Sequence, residues 1–292
     1  MDTEATARRY RDAAEWPAEE AMAAMLDNQF GAFAAVRAAL PALATAVTEA
    51  ADRLRQRGRL IYCGAGASGR LAVQDGVELH PTFGWPADRL VYLIAGGDRA
   101  LVRSAEGAED DADAGSAEAD ALGPGSDDVV VSVAASGTTR YTNAVQAKAR
   151  AAGALTVALA NNPGAPLLTG AQHPVLLQTG PEFLAGSTRM TAGTAQKMAL
   201  NLFSTRLMSE LGRIYRGYMV DMVPSNAKLV RRAHQMVAAI AGVDTVRAAE
   251  AWHDAGGSVK VAVLMLDGRS RPDAEAKLAA ADGRLDRART AP

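Results

Sequence analysis

Apolar positions along the chain follow two periods, and the change between them divides it. From Pro17, Ala18 and Glu19, which read as a first helical turn, alanine, leucine, valine and phenylalanine recur at three- and four-residue spacing through 21–28, 30–38 and 41–56. That spacing predicts helices with one buried face, separated by turns near Gly31 and Pro41. The charged stretch Thr6–Ala14 ahead of them reads as weakly ordered. From Leu60 onward, short β-favouring blocks appear at 60–63, 90–94, 129–133, 154–160 and, more briefly, 174–178. Most end in glycine or small polar residues and are followed by helical stretches such as 71–75 and 141–151. Strands alternating with helices predict an α/β fold around a parallel sheet. A long helix then runs to Leu211, and beyond Ala233 only short helical segments remain, including an all-apolar run, Val259–Leu266, read as a buried helix. The expected organisation is an N-terminal helical region, 1–58, an α/β domain, 59–232, and a small helical domain, 233–292.

The transition after the first strand carries the clearest chemistry. Leu60-Ile61-Tyr62-Cys63 runs into Gly64-Ala65-Gly66-Ala67-Ser68-Gly69 and then into a helix start. Glycines let the backbone turn sharply, and the free N–H groups of the helix's first turn point into the space this leaves, which suits an anion. Gly64, Gly66 and Gly69 fit a G-x-G-x-x-G spacing found at many such turns, with or without a ligand. No Gly-Lys-Ser or Gly-Lys-Thr ending marks a nucleotide triphosphate loop, and Ser68 supplies a hydroxyl suited to a small phosphate. A second strand, 128–133, meets Ser136-Gly137-Thr138, and a third turn, Gly186-Ser187-Thr188-Arg189, precedes the long helix bearing Lys197. Taken singly, Ser136 is an ordinary helix cap. Strand–turn–helix units of one parallel sheet share a crevice at its C-terminal edge, as a phosphosugar site requires.

Composition narrows the classes. With 31 basic and 33 acidic residues the formal charge is −2, which asks for neither nucleic acid nor an anionic membrane. The single cysteine, Cys63, excludes an internal disulfide and reads as a buried strand thiol. A charged N-terminus without a signal peptide, and no evident bilayer-spanning run, predict a cytoplasmic protein. Residues 101–112 are rich in carboxylates and interrupted by Gly107; they read as a solvated acidic helix leading to an exposed segment at 113–121. Glu78, set between apolar neighbours close to the first loop, is either a surface residue or a ligand-facing carboxylate.

The sequence resembles the N-acetylmuramic acid 6-phosphate etherases, in the sugar isomerase superfamily that includes the vertebrate glucokinase regulatory protein. The resemblance rests on Gly64-Ala65-Gly66-Ala67-Ser68-Gly69-Arg70-Leu71, on Glu78 with Pro81-Thr82-Phe83-Gly84, and on Glu106-Gly107-Ala108-Glu109-Asp110. It continues through Ala134-Ala135-Ser136-Gly137, Gly186-Ser187-Thr188-Arg189, Ala192-Gly193-Thr194-Ala195-Gln196-Lys197, Met219-Val220-Asp221 and Asn226-Ala227-Lys228-Leu229. It implies a three-layer α/β sandwich and a cofactor-free, metal-free lyase acting on a phosphosugar, in a homodimer whose sites lie near the subunit interface. In such enzymes the open-chain muramic sugar loses its C2 proton and D-lactate leaves from C3. Glu109 matches the base and Glu78 the acid on the departing ether oxygen, with Glu106 expected to tolerate change. Gly66, Ala67, Ser68, Gly69, Ser136, Gly137, Thr138, Ser187, Arg189 and Lys197 are the expected substrate- and phosphate-binding positions.

The chain departs from the family pattern around these positions. Gly76-Val77 and Leu79-His80 flank Glu78 where Ala-Ser and Cys-Pro are usual, and Ser136-Gly137-Thr138-Thr139-Arg140-Tyr141 replaces Ser-Gly-Arg-Thr-Pro-Tyr. The stretch Leu26-Asp27-Asn28-Gln29 lacks the usual asparagine and acidic pair. An aldose–ketose isomerase, which also begins by removing a proton beside a carbonyl, and a phosphosugar-binding regulator stay open beside the etherase.

Overall fold

The computed structural model describes residues 1–55 and 57–290; Gln56, at the end of the third expected helical stretch, and residues 291–292 of the C-terminal segment lie outside the described residues. The chain divides into two compact units, one of Met1–Gly76 with Asp88–Phe203 and one of Val77–Ala87 with Ser204–Pro292.

The first unit is built on a parallel sheet whose strands, among the described residues, are β1 (Leu60–Gly64), β2 (Leu90–Ile94), β3 (Val129–Val133), β4 (Leu155–Ala160) and β5 (His173–Leu176), in the order β2-β1-β3-β4-β5. The β1, β3 and β4 strands are buried along their whole length, as their continuous apolar runs require of central parallel strands. Ile61, Cys63 and Val130 pack with Tyr141, Val145 and Ala149 of α6 (Arg140–Ala151). Tyr62, one residue out of phase, projects to the other face, where its hydroxyl donates to Asp75 of α2 (Gly66–Val77) at 2.7 Å. Helix α1 (Ala18–Arg55) lies against β3, β4 and β5, and helices on both faces make three layers. Shorter helices α4 (Arg99–Val102), α5 (Ala112–Leu122) and α7 (Pro166–Thr169) lie in the connections, and α8 (Thr191–Glu210) follows β5. The strand order reverses direction between β1 and β3, so the ligand crevice of such a sheet falls beyond their C-terminal ends. The Gly64–Gly69 turn and the Ser136–Thr138 turn stand there.

Several local expectations are corrected. The three N-terminal helices are one 38-residue helix running through Gly31 and Pro41. Gly31 is a close-packing position: a β-carbon there would sit 3.3 Å from the carbonyl oxygen of Thr179. By length and composition the helix is also apolar and long enough to cross a bilayer, against the expectation of no such run. Alanine supplies much of that hydropathy, and Ala32, Ala35, Ala39, Ala46 and Ala50 are buried within the unit. Residues before it form short 3-10 turns in which Thr3, Tyr10 and Ala13 are buried, with the Tyr10 ring 4.7 Å from that of Phe183. The acidic helix expected over 101–112 instead lies at 112–122 as α5. Its Gly115 and Ala119 form a packing face, and a β-carbon at Gly115 would meet the carbonyl oxygen of Tyr141 at 2.6 Å.

The second unit holds α3 (Leu79–Phe83) and the helices α9 (Ala227–Ala241), α10 (Thr245–Asp254), α11 (Val259–Leu266), α12 (Arg271–Ala280) and α13 (Leu285–Thr290). Four of these start on a side-chain cap: Asn226, Asp244, Ser258 and Ser270 each accept from a main-chain N–H of the first turn. The α11 run is buried from Val259 to Leu264 and forms the centre of a core with Val237, Ile240, Ala248 and Ala274, so the reading of 259–266 as a buried helix holds.

Candidate active site

In the first unit, the end of β1 and the start of α2 touch through two glycines. A β-carbon on Gly64 would lie 2.9 Å from the Gly69 α-carbon, and one on Gly69 would lie 3.0 Å from the Gly64 carbonyl carbon. No other residue allows this contact, which sets the first turn of α2 directly over the strand end. Gly66 has a φ of +52° and faces open space, so the turn presents bare backbone outward. Ser68 is buried in that first turn.

Beside it lies a cavity of about 340 Å³ lined by Ala65, Gly66, Ala67 and Arg70 on one side and by Ser104–Glu109 on the other. Glu109 sits in a short 3-10 turn entered through Gly107, whose φ of +72° swings the chain back. Glu106 lines the same cavity, so the residue expected to be a bystander is a neighbour of the proposed base. Arg70, outside the predicted set, is the basic residue among the described lining positions. Its guanidinium donates to the carbonyl oxygens of Ala100 (2.9 Å) and Arg103 (3.3 Å), tying α2 to the segment that leads to Glu106 and Glu109.

The remaining predicted positions lie outside this cavity. At the end of β3, the Ser136 hydroxyl accepts from the Thr138 N–H and hydroxyl, both at 3.1 Å, while Gly137 turns at a φ of +68°. Ser187 and Arg189 precede α8, and Lys197 is exposed within it. That turn is held by two residues the sequence did not single out. The fully buried Glu182 carboxylate accepts from the Thr191 N–H (2.9 Å) and the Ala192 N–H (2.8 Å), capping α8. Asn28 of α1 accepts from the Thr191 hydroxyl and the Phe183 N–H. The partners of Asn28 lie too far away in sequence for local spacing to reveal them. Thr3, fully buried, adds a third tie: its N–H and hydroxyl pair with Asn162, and its carbonyl accepts from the Gly186 N–H. Burial pushes the Cys63 thiol well above its ordinary range, in keeping with an inert core thiol.

In the second unit, Glu78 is exposed at the residue before α3, whose last turn closes on Gly84 in the left-handed conformation.

Among the described residues, a five-stranded parallel sheet with glycine- and serine-bearing turns at its switch point defines an α/β fold whose ligand crevice lies at the C-terminal ends of the strands. The description "Glucokinase regulatory protein N-terminal SIS domain" matches residues 42–149, and "SIS domain" matches 114–206. A Bacteroides fragilis protein described as a phosphosugar isomerase involved in capsule formation superposes with a TM-score of 0.50 at 18% identity, covering 69% of this chain and 95% of its own. The N-acetylmuramic acid 6-phosphate etherase of Deinococcus radiodurans is 52% identical over 263 residues, 90% of this chain and 86% of that one. The enzyme of the same description from Symbiobacterium thermophilum is 50% identical over 80% of this chain and 77% of its own. The chain belongs to the N-acetylmuramic acid 6-phosphate etherase family.

Proposed function

We propose that this protein cleaves the D-lactyl ether of N-acetylmuramic acid 6-phosphate, giving N-acetylglucosamine 6-phosphate and D-lactate. The observation that carries the reading is the cavity lined by Gly66 and Ala67 on one side and by Glu109 on the other. The helix start offers N–H groups to an anion, and the carboxylate offers a base to a nearby carbon acid. In the open-chain sugar the C1 aldehyde acidifies C2–H, and Glu109 takes that proton. The electron pair forms the C2–C3 double bond as the C3–O bond breaks, and Glu78 supplies a proton to the departing lactate oxygen, which would otherwise leave as a poor alkoxide. Water then adds at C3 and a proton returns to C2. Ser68, Gly69, Ser136, Gly137, Thr138, Ser187, Arg189 and Lys197 serve binding of the phosphate and sugar in this scheme, and a phosphorylated substrate suits a cytoplasmic enzyme. Incubating the purified protein with N-acetylmuramic acid 6-phosphate and assaying D-lactate with a D-lactate dehydrogenase tests the reaction. Stoichiometric release supports it; sugar-phosphate isomerisation without lactate would replace it with the isomerase.

The same reading includes a homodimer. Met22, Leu26, Phe30 and Phe33 are all about two-thirds exposed at three- and four-residue spacing on α1, an apolar stripe on an otherwise alanine-rich helix. A second copy covers it most economically, since a two-fold axis makes the stripe its own complement. Phe30→Glu should then shift the mass in light scattering from dimer to monomer; a wild-type monomer with full activity would refute the assembly.

A further inference from the structure

Glu78 is exposed, and a general acid must nevertheless be held in place. The segment that follows it is fastened at every step within its own unit. The Thr82 N–H donates to the Glu78 carbonyl at 3.1 Å, the Val223 N–H donates to that of Pro81 at 3.0 Å, and the Gly84 N–H donates to that of His80 at 2.8 Å. At the C-terminal end of α3, one nitrogen of Arg213 donates to two successive carbonyls, Phe83 at 2.7 Å and Gly84 at 2.8 Å. These are acceptors that a helix end leaves unsatisfied, and a cation is the favourable partner there. The Arg213 guanidinium also lies 5.3 Å from the centre of the ring of Trp85, which is 1% exposed. Gly84 fits because it has no side chain: a β-carbon would stand 2.5 Å from the Asp221 carbonyl oxygen.

The clamp is itself held. The Asp221 carboxylate lies 3.9 Å from Arg213 and 2.6 Å from Lys260, a buried lysine that also donates to the Gly283 carbonyl at 2.7 Å. Burial lowers the pKa of both cations, and the Asp221 carboxylate opposes that shift. Lys260 is buried, whereas Arg213 and Asp221 are half-buried, so the three charges form a linked cluster that reaches from the interior to the end of α3.

We propose that Arg213, supported by Asp221 and Lys260, is the positioning residue for Glu78, fixing the short α3 helix so that its leading carboxylate is presented for proton transfer to the leaving oxygen. This rests on the assignment of Glu78 as the acid. It gives the C-terminal helices a role in the reaction, since Lys260 of α11 and the Gly283 carbonyl beyond α12 complete the support.

Two reactions separate positioning from general stability. D-lactate release needs the acid, whereas exchange of the C2 hydrogen of N-acetylglucosamine 6-phosphate with heavy water needs only the base. Arg213→Lys, which keeps the charge but loses the planar fork, should lower kcat for lactate release about tenfold, because small displacements of a reacting group are costly. The KM should stay within about twofold and C2 exchange should be retained. Trp85→Phe should show the same pattern more weakly, and it guards against an Arg213 variant that fails to fold. If Arg213→Lys lowers release and exchange by the same factor, or changes neither, the proposal is overturned. Glu78→Gln run alongside tests the assignment beneath it: full lactate release by that variant refutes the acid itself, whatever Arg213 does.

Discussion

Replacing Gly69 by alanine sets two effects against each other at the Gly64–Gly69 turn. The new methyl would stand 3.0 Å from both the carbonyl carbon and the oxygen of Gly64, and 3.4 Å from a methyl of Ile94. Carbon atoms rest at about 3.5–4.0 Å, and the Gly64 atoms belong to a buried central strand, so the first turn of α2 must retreat by about half an ångström. Overpacking of this kind costs about 1–3 kcal/mol, and exchanging glycine for alanine inside a helix returns about 1 kcal/mol. The net, about 0–2 kcal/mol, lowers Tm by no more than about 8 °C in a chain of this size. Binding suffers more. The retreat carries the Gly66–Ser68 N–H groups with it, and losing one charge-assisted hydrogen bond is worth about 1.5–3 kcal/mol, or about ten- to a hundredfold in Kd. Calorimetric titration with N-acetylglucosamine 6-phosphate beside a thermal melt reads both quantities. A variant with a lowered Tm but product affinity within twofold of wild type would refute the turn as the anion site.

Ser136→Ala removes the acceptor that holds Thr138 in its turn, and product affinity in the same titration should fall by about 1–3 kcal/mol; unchanged affinity excludes that hydroxyl. Asp128 gives a pH signature. Burial pushes its carboxyl up, but hydrogen bonds from the Arg59 side chain and from the main-chain N–H groups of Arg59 and Gly125, with the Arg59 charge, outweigh this and hold it below its usual range. A lowered folded value means the stabilisation is complete above the unfolded pKa of about 3.9 and is lost as pH falls through the folded one. Asp128→Asn should therefore melt well below wild type at pH 7, with the gap closing below about pH 4; a gap constant down to pH 3 would contradict the pairing.

The sheet was legible because β1, β3 and β4 are buried on both faces and their apolar runs have no other use. The glycines at 64 and 69 were legible as a turn, and the structure adds that they serve a backbone-to-backbone contact. Where small residues do two jobs, the pattern misleads. Gly31 and Pro41 read as breaks but lie inside α1, and the Ala/Gly/Asp composition of 112–122 reads as surface although Gly115 and Ala119 are the contact face of α5. The glutamates were proposed from motif position, whereas Arg70 and Asn28 in the first unit and Arg213 in the second act on partners distant in sequence. That Glu106 shares a cavity with Glu109 was not legible, because one acidic stretch gives no sign of which carboxylates line a pocket. A glycine at position 107 that reverses the chain brings both Glu106 and Glu109 to the same cavity.

That shared cavity makes the choice of base the decisive question. Exchange of the C2 hydrogen of N-acetylglucosamine 6-phosphate in heavy water, followed by proton NMR for wild type, Glu109→Gln and Glu106→Gln, answers it without requiring ether cleavage. With Glu109 as the base, wild type exchanges C2, Glu106→Gln exchanges within about tenfold of it, and Glu109→Gln loses about a hundredfold to ten-thousandfold, the usual worth of one proton-transfer group. Exchange that survives in Glu109→Gln and disappears in Glu106→Gln would contradict the assignment, and a wild-type protein that neither exchanges C2 nor releases D-lactate would contradict the etherase reading as a whole.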